Sequence, residues 1–372
     1  MSAAPGRLSA IPREIAAVGD YERFARERLD DNAWAYLAGG SADEITLRDN
    51  RAAFDRMRMK GRVLTEVRGG HTRLELFGRE YAHPILLAPV AYQRLFHPDG
   101  ELASVLGAAA MGAGMVVSTL ASTSLEDIAA GAHAPLWFQL YLQADRTRTL
   151  ELVRRAEAAG YAALVVTVDA PIAGIRNREQ RAGFVLPPQV RAVNLDGGAL
   201  PAGDTRSGGS AIFDGLMAAT PTWRDIDWLA TETRLPLLVK GILDADDARR
   251  ALDHGASGIV VSNHGGRTLD TLPATIDALP PIADVLAGRA PLLLDGGIRR
   301  GSDIFKAIAC GASAVLIGRA YIHALASAGA LGVAHALRIL HEELEINMAL
   351  NGCATLQAID RGALFCPQPT SR

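Results

Sequence analysis

The sequence has few cysteines, fewer lysines than any globular average would suggest, and no surplus of charge of either sign. Three cysteines, Cys310, Cys353 and Cys366, stand late in a chain of 372 residues, odd in number and without Cys-x-x-Cys spacing. They exclude a disulfide framework and a cysteine zinc knuckle, and they fit a reducing compartment. The formal net charge is −3, from 38 basic and 41 acidic residues. Without a basic excess, neither nucleic acid nor an anionic membrane face is an expected partner. No stretch approaches the roughly 18 uninterrupted apolar residues of a spanning helix, and MSAAPGRLSAIPREIAAVGD lacks the apolar centre of a secretory signal. A soluble, cytoplasmic protein is expected. The motifs G-x-S-x-G, G-x-x-x-x-G-K-[ST], G-x-G-x-x-G after a strand and H-E-x-x-H are all missing, which removes the commonest hydrolase, NTPase, dinucleotide and zinc-protease readings. The nine histidines show no ligand spacing, so no metal is expected. Lysine occurs only at Lys60, Lys240 and Lys306. A chain that otherwise uses arginine keeps a lysine where a compact, orientable ammonium matters.

Short apolar runs, by contrast, are plentiful. Eight of them (85–91, 114–120, 136–141, 163–169, 235–241, 258–264, 291–297 and 314–320) are almost continuously apolar, the pattern of strands buried on both faces of a parallel sheet. Between them lie amphipathic stretches such as LEDIAAG, RTLELVRRAEAAG, DADDARRALDHG and GSDIFKAIACG, each closing on a glycine suited to a left-handed C-cap. Successive strands start 29, 22, 27, 72, 23, 33 and 23 residues apart, so every interval but one holds a single βα unit. This α/β alternation implies one closed (β/α)8 TIM barrel over 85–320, in a single domain spanning 1–372. Residues 1–80 read as a helical prelude, with Ser41 or Asp43 as N-cap of its third helix and the Gly39-Gly40 pair as a helix stop. Residues 332–350 read as an amphipathic final helix. The long interval follows the fourth strand, and its Gly-, Ala-, Ser- and Asp-rich centre at 195–220 reads as a mobile lid.

In such a barrel the chemistry sits at the C-terminal strand ends. Those ends carry Ala91 to Gln93, Ser118 and Thr119, Gln139 and Tyr141, Thr167 and Asp169, Lys240, Ser262 to His264, Arg267, Asp295 and Arg299, and Gly318 and Arg319. One polar strand end needs no function, but polar residues at eight together point to a site. His264, before Gly265-Gly266, has the position of a general base, and Asp169 that of its orienting partner. DGGIRRG (295–301) and IGRA (317–320) offer Gly296, Gly297, Arg299, Gly318 and Arg319 as a phosphate seat at the last two strands.

SNHGGRTLD (262–270), TVDAP (167–171), LVKG (238–241), DGGIRRG, FQLY (138–141) and APVAYQRLFHPDGE (88–101) resemble the FMN-dependent 2-hydroxy-acid oxidase and dehydrogenase family from about Tyr21 to Cys353, and the last of these is most similar to its hydroxymandelate oxidase branch. The resemblance implies FMN as cofactor and oxidation of an (S)-2-hydroxy acid to the 2-oxo acid, with hydride transfer to flavin N5 and reoxidation by O2. It implies His264 as the base with Asp169 as partner, Arg176 and Arg267 as the clamp on the substrate carboxylate, and Tyr36 and Tyr141 as hydrogen-bond donors to substrate. Lys240 would stand beside the flavin N1 and O2. Ser118, Gln139, Thr167 and Ser262 would contact the ring or ribityl chain, Ala91 would offer backbone near N5, and Asp295, Gly297, Arg299, Gly318 and Arg319 would hold ribityl and phosphate. A homotetramer is likewise implied.

This chain departs from the family pattern in four places. Ile175-Arg176 stands where two arginines are common, and Thr268 where a glutamine is usual. Leu120 replaces a tryptophan and Ala173 a larger apolar residue, so both are expected to widen the side-chain pocket for an aryl or medium-chain acid. Two rival readings remain at this level: a dehydrogenase passing electrons to a quinone or cytochrome, and a redox-neutral FMN-dependent isomerase on a similar barrel.

Overall fold

The computed structural model describes residues 6–195, 210–218 and 220–365. Three prelude helices come first, α1 (Tyr21–Arg28), α2 (Asp31–Ala38) and α3 (Ile45–Arg56). A short antiparallel hairpin follows, β1 (Leu74–Leu76) and β2 (Arg79–Tyr81). The barrel strands are β3 (Ile85–Leu87), β4 (Met115–Ser118), β5 (Leu136–Leu140), β6 (Ala163–Thr167), β7 (Leu237–Ile242), β8 (Gly258–Val261), β9 (Leu292–Asp295) and β10 (Ala314–Ile317). All eight pair in parallel and in chain order, and β10 closes on β3 through Val315 opposite Ile85. Nearly every strand residue is buried. That two-faced burial is why the runs are continuously apolar and not alternating.

Side chains of the two faces form separate clusters. Leu86, Val116, Trp137, Val165, Leu238, Val260, Leu293 and Leu316 fill the barrel interior together with Leu76 and Tyr81 of the hairpin, and Trp137 Nε1 donates to Tyr81 Oη at 3.0 Å. The hairpin therefore plugs the N-terminal mouth. Outward-facing strand residues pack under α4 (Gly100–Ala110), α5 (Leu125–Ala130) and α6 (Arg146–Ala158) and, beyond an insertion that begins with α7 (Asn177–Ala182), under α8 (Trp223–Glu232), α9 (Ala245–Asp253), α10 (Thr275–Leu286), α11 (Gly301–Ala309) and α12 (Arg319–Leu350). With its bottom plugged, the barrel is open only at the strands' C-terminal ends.

Two expectations change, and two more meet the structure in part. The prelude is not wholly helical, because 74–81 form the hairpin; its strands are three residues each and mostly solvent-facing, so no apolar run marks them. The N-cap of α3 is Glu44, left-handed at φ 60°, and the free N–H groups of Asp43 and Thr46 are satisfied by the Asp270 carboxylate, 3.0 and 2.9 Å away. In α12 the backbone turns non-helical at Ala328 and Gly329, so two helices meet there and the second, running to Leu350, starts close to the expected 332. The apolar stretch of α12 is long enough to cross a membrane, yet 78% of that window is buried within the fold, as befits a core helix. Of the 195–220 lid, residues 196–209 and 219 lie outside the described residues; Ala211–Leu216 form a π-helical turn with Phe213 exposed.

Candidate active site

A cavity of about 740 Å³ opens where the strands end. It is lined by Ser118, Gln139, Thr167, Lys240 and Asp295, by Gly297, Arg299 and Gly318, and by Tyr36, Ala91, Leu120, Tyr141, Arg176, His264 and Arg267, with Arg319 sharing the Gly39 carbonyl with Arg267. The barrel thus brings residues from all eight strand ends and from α2 to one place. Asp169 and Ser262 stand behind the wall, each bonded to a residue that faces the cavity. Ala173 does not line it. It is exposed, because the next residue, Gly174, is the one pressed onto the 267–268 backbone, where a Cβ would come within 2.1 Å of the Thr268 carbonyl oxygen. The expected widening therefore rests on Leu120 alone.

His264 follows β8 in a left-handed conformation, φ 57°, as do Gly265 and Gly266. A non-glycine residue there is strained. It is held by its own N–H donating to Ser262 Oγ at 3.0 Å and by the contact of Nδ1 with Asp169 Oδ1 at 2.8 Å. The Asp169 carboxyl reaches across β7 because Lys240 and Ile242 flank a register shift at Gly241, whose φ is 111°. A Cβ on Gly241 would lie 2.5 Å from that of Asp169. Burial opposes ionisation of Asp169, but His264 and Lys240 outweigh it and hold the carboxyl below its ordinary range. An ionised carboxylate can only accept, so Nδ1 carries the imidazole proton and Nε2 is left with a free lone pair.

Lys240, fully enclosed, donates to Ser262 Oγ at 2.8 Å and faces Asp295 Oδ2 at 3.1 Å. Burial would strip its proton, yet Asp295 and then Asp169 raise its pKa above the ordinary lysine value. The ammonium is permanently charged at neutral pH. Ser118 Oγ and the Thr119 N–H both donate to Gln139 Oε1, at 3.2 Å each. That fixes the amide so that Nε2 is a buried donor without a partner; Asp295 Oδ1 is a buried acceptor in the same condition. A ligand carrying both acceptors and hydroxyl donors is needed to satisfy them, and the ring and ribityl chain of FMN have the groups that would do so. The Arg299 guanidinium makes no hydrogen bond to a described residue and lines the cavity together with Ala320 of the first turn of α12, a candidate anion seat. Arg319 lines the cavity too, but its Nε, Nη1 and Nη2 donate to the carbonyls of Leu37, Gly265 and Gly39. The buried C-terminus of α2 needs those donors, so Arg319, expected to help hold ribityl and phosphate, also locks the prelude onto the barrel.

At the substrate end, the Tyr36 ring lies between Phe184, 4.9 Å away and nearly parallel, and the Arg267 guanidinium at 4.9 Å. Arg267 Nη1 donates to the carbonyls of Tyr36 and Gly39 at 2.7 and 2.8 Å. Burial, then Asp169 and Tyr36, push the Tyr141 phenol well above its ordinary range, keeping it a donor. Arg176 Nη1 and Arg267 Nη2 both donate to Glu179 Oε1, at 3.2 and 3.1 Å. Sequence reasoning missed Glu179; its only signal is the i, i+3 spacing from Arg176. Ile175, in the place of a second arginine, is 68% exposed and offers only its carbonyl, to Ala42 N–H at 2.7 Å.

This arrangement has counterparts among known proteins. The chain is 49% identical over 355 residues to an L-lactate oxidase of Alicycliphilus denitrificans, covering 95% of this chain and 97% of that protein. It is 43% identical over 354 residues to glycolate oxidase 1 of Oryza sativa, covering 95% and 96%. A solved mandelate oxidase variant with (S)-mandelic acid superposes with a TM-score of 0.86 at 44% identity, covering 94% of this chain and 98% of that one. Another mandelate oxidase structure holds a C4a-OH-FMN adduct. Residues 25–365 match the FMN-dependent dehydrogenase family, and with its barrel, its cavity and its relatives in agreement the chain belongs to that family, as an FMN-dependent 2-hydroxy-acid oxidase.

Proposed function

We propose that the enzyme oxidises (S)-2-hydroxy acids with an aryl or medium-chain side chain, such as mandelate or hydroxymandelate, to the 2-oxo acids, with O2 as the final electron acceptor. Bound FMN supplies the two-electron acceptor. Arg176 and Arg267 would take the carboxylate through planar, charge-assisted hydrogen bonds, and Tyr36 and Tyr141 would fix the hydroxyl end. His264 Nε2 takes the hydroxyl proton as the substrate loses its electrons. Asp169 stabilises the imidazolium that forms and holds its ring in place. Lys240 keeps a positive charge in the cavity lining, where electron density would gather.

The observation that carries the preference for bulk is Leu120 on the cavity wall, an aliphatic, adaptable surface at the substrate end. Apolar side chains gain from burial there. The test is anaerobic bleaching of the yellow enzyme by glycolate, lactate and mandelate, followed by measurement of O2 uptake and peroxide. Fastest bleaching by mandelate supports the reading. Faster bleaching by lactate or glycolate would reassign the substrate. Bleaching without peroxide on readmission of air would point to another acceptor.

A further inference from the structure

Arg176 and Arg267 stand in one recess of low accessibility, where two like charges repel; in Arg267 burial and then Arg176 both disfavour the charged form. One atom answers both. Glu179 Oε1 accepts from Arg176 Nη1 and Arg267 Nη2, and the Glu179 and Arg267 side chains are each only 14% exposed. The carboxylate is itself placed from outside. It rides on α7, which is stitched to the prelude by Arg178 with Glu44 and by Asn177 Nδ2 on the Ala42 carbonyl at 3.3 Å, and the segment just after it by the reciprocal pair of Asn32 and Val185 at 2.9 Å each way.

We propose that Glu179 is the positioning and charge-setting residue of the carboxylate clamp: it holds the two guanidinium groups in one geometry and leaves the trio at net +1, which a single substrate carboxylate neutralises. A clamp at +2 would grip an anion harder, and the product of the reaction is an anion of the same charge as the substrate. Glu179 therefore moderates product retention as well as orienting the arginines. This rests on the reading of Arg176 and Arg267 as the clamp.

The experiment uses FMN-loaded enzyme and titrates phenylglyoxylate and its neutral amide, read by perturbation of the flavin absorbance. Glu179→Gln keeps length and an acceptor oxygen but removes the charge. It is expected to raise the acid-to-amide affinity ratio about ten-fold, the scale of one unit charge a few ångströms away at an effective dielectric near 20 with part of the effect screened. Glu179→Met, neutral and of similar length, should move the ratio in the same direction, and Glu179→Asp, which keeps the charge, should leave it within about two-fold. A ratio unchanged or lowered in both neutral variants, with the acid still preferred by wild type, overturns the role of Glu179 and leaves the clamp standing. Equal binding of acid and amide by wild type overturns the clamp itself, and the role of Glu179 with it.

Discussion

His264 Nδ1 and Asp169 Oδ1 lie 2.8 Å apart although β8 and β6, which deliver them, are not neighbours in the barrel. The link passes over Gly241, the residue of the intervening strand where the register shifts. Because the carboxylate is ionised, the pair fixes one imidazole tautomer. Asp169→Asn would remove the charge that supports an imidazolium and let the ring adopt either tautomer. The rate of anaerobic flavin reduction is expected to fall about 10²–10⁴-fold, with FMN content unchanged. Stopped-flow reduction of the variant checks it; a loss under ten-fold would separate Asp169 from the base.

Lys240→Met would take away a permanent cation from the cavity lining and leave Asp295, 3.1 Å from it, buried without its ion-pair partner. The flavin should then become harder to reduce and bind sulfite, which adds as an anion, at least about ten-fold more weakly. A redox titration and a sulfite titration of the same preparation give both numbers. Thermal stability should drop as well, since breaking one side of a buried pair is costly.

Leu120→Trp should fill the substrate end and lower the ratio of kcat/KM for mandelate over glycolate by ten-fold or more, since each methylene equivalent of apolar burial is worth about 0.8 kcal/mol. Ala173→Leu, at an exposed position, should leave that ratio within about two-fold. Steady-state kinetics on the two acids distinguish the positions. Equal effects would mean that 173 approaches the cavity after all.

Asp270 offers a test away from the chemistry. Burial opposes its ionisation, but N–H groups of Thr46, Ile45, Thr271 and Asp43 outweigh it and keep the carboxyl below its ordinary range. Asp270→Asn should cost about 1–2 kcal/mol at pH 7, as lost caps do. A depressed native value means stability that is complete above the unfolded pKa near 4 and lost as pH falls through the native one. The gap between the melting temperatures of wild type and variant should therefore narrow from pH 5 towards pH 3. A gap constant across that range would rule out the charge as its source.

The barrel was legible because strands buried on both faces write themselves as unbroken apolar runs, and because functional polar residues begin where each run stops. His264, Lys240 and Arg267 could be found that way without any geometry. What escaped were features made by contact between distant segments. The α3 cap lies on Asp270, more than two hundred residues away, where local reading looks only at Ser41 or Asp43. Gly332 marked the last helix but not its close approach to the first part of α12, where a Cβ would meet the Ala324 carbonyl oxygen at 2.2 Å. Ala173 was read by analogy of position, and one residue's turn of the chain sends it outward. Glu179 was hidden because a carboxylate three residues from an arginine is usually a solvated helix pair, and only the arrival of Arg267 from β8 makes it a shared partner.

The prelude has a consequence for the order of assembly. Asn50 exchanges hydrogen bonds with Asn263 at 2.9 and 2.8 Å, 213 residues apart, and Arg51 reaches the Gly297 carbonyl at 2.9 Å across 246 residues. Arg319 closes on α2 from 280 residues away. Helices α1 to α3 thus complete their contacts only when residues 263 to 319 are present, although α7 meets them earlier. Such non-local closure is slow and leaves apolar helix faces waiting. A chain truncated before residue 319 would lack the Arg319 bonds that hold the end of α2, and the part of the cavity lined by Gly318 and Arg319 would be the last to form.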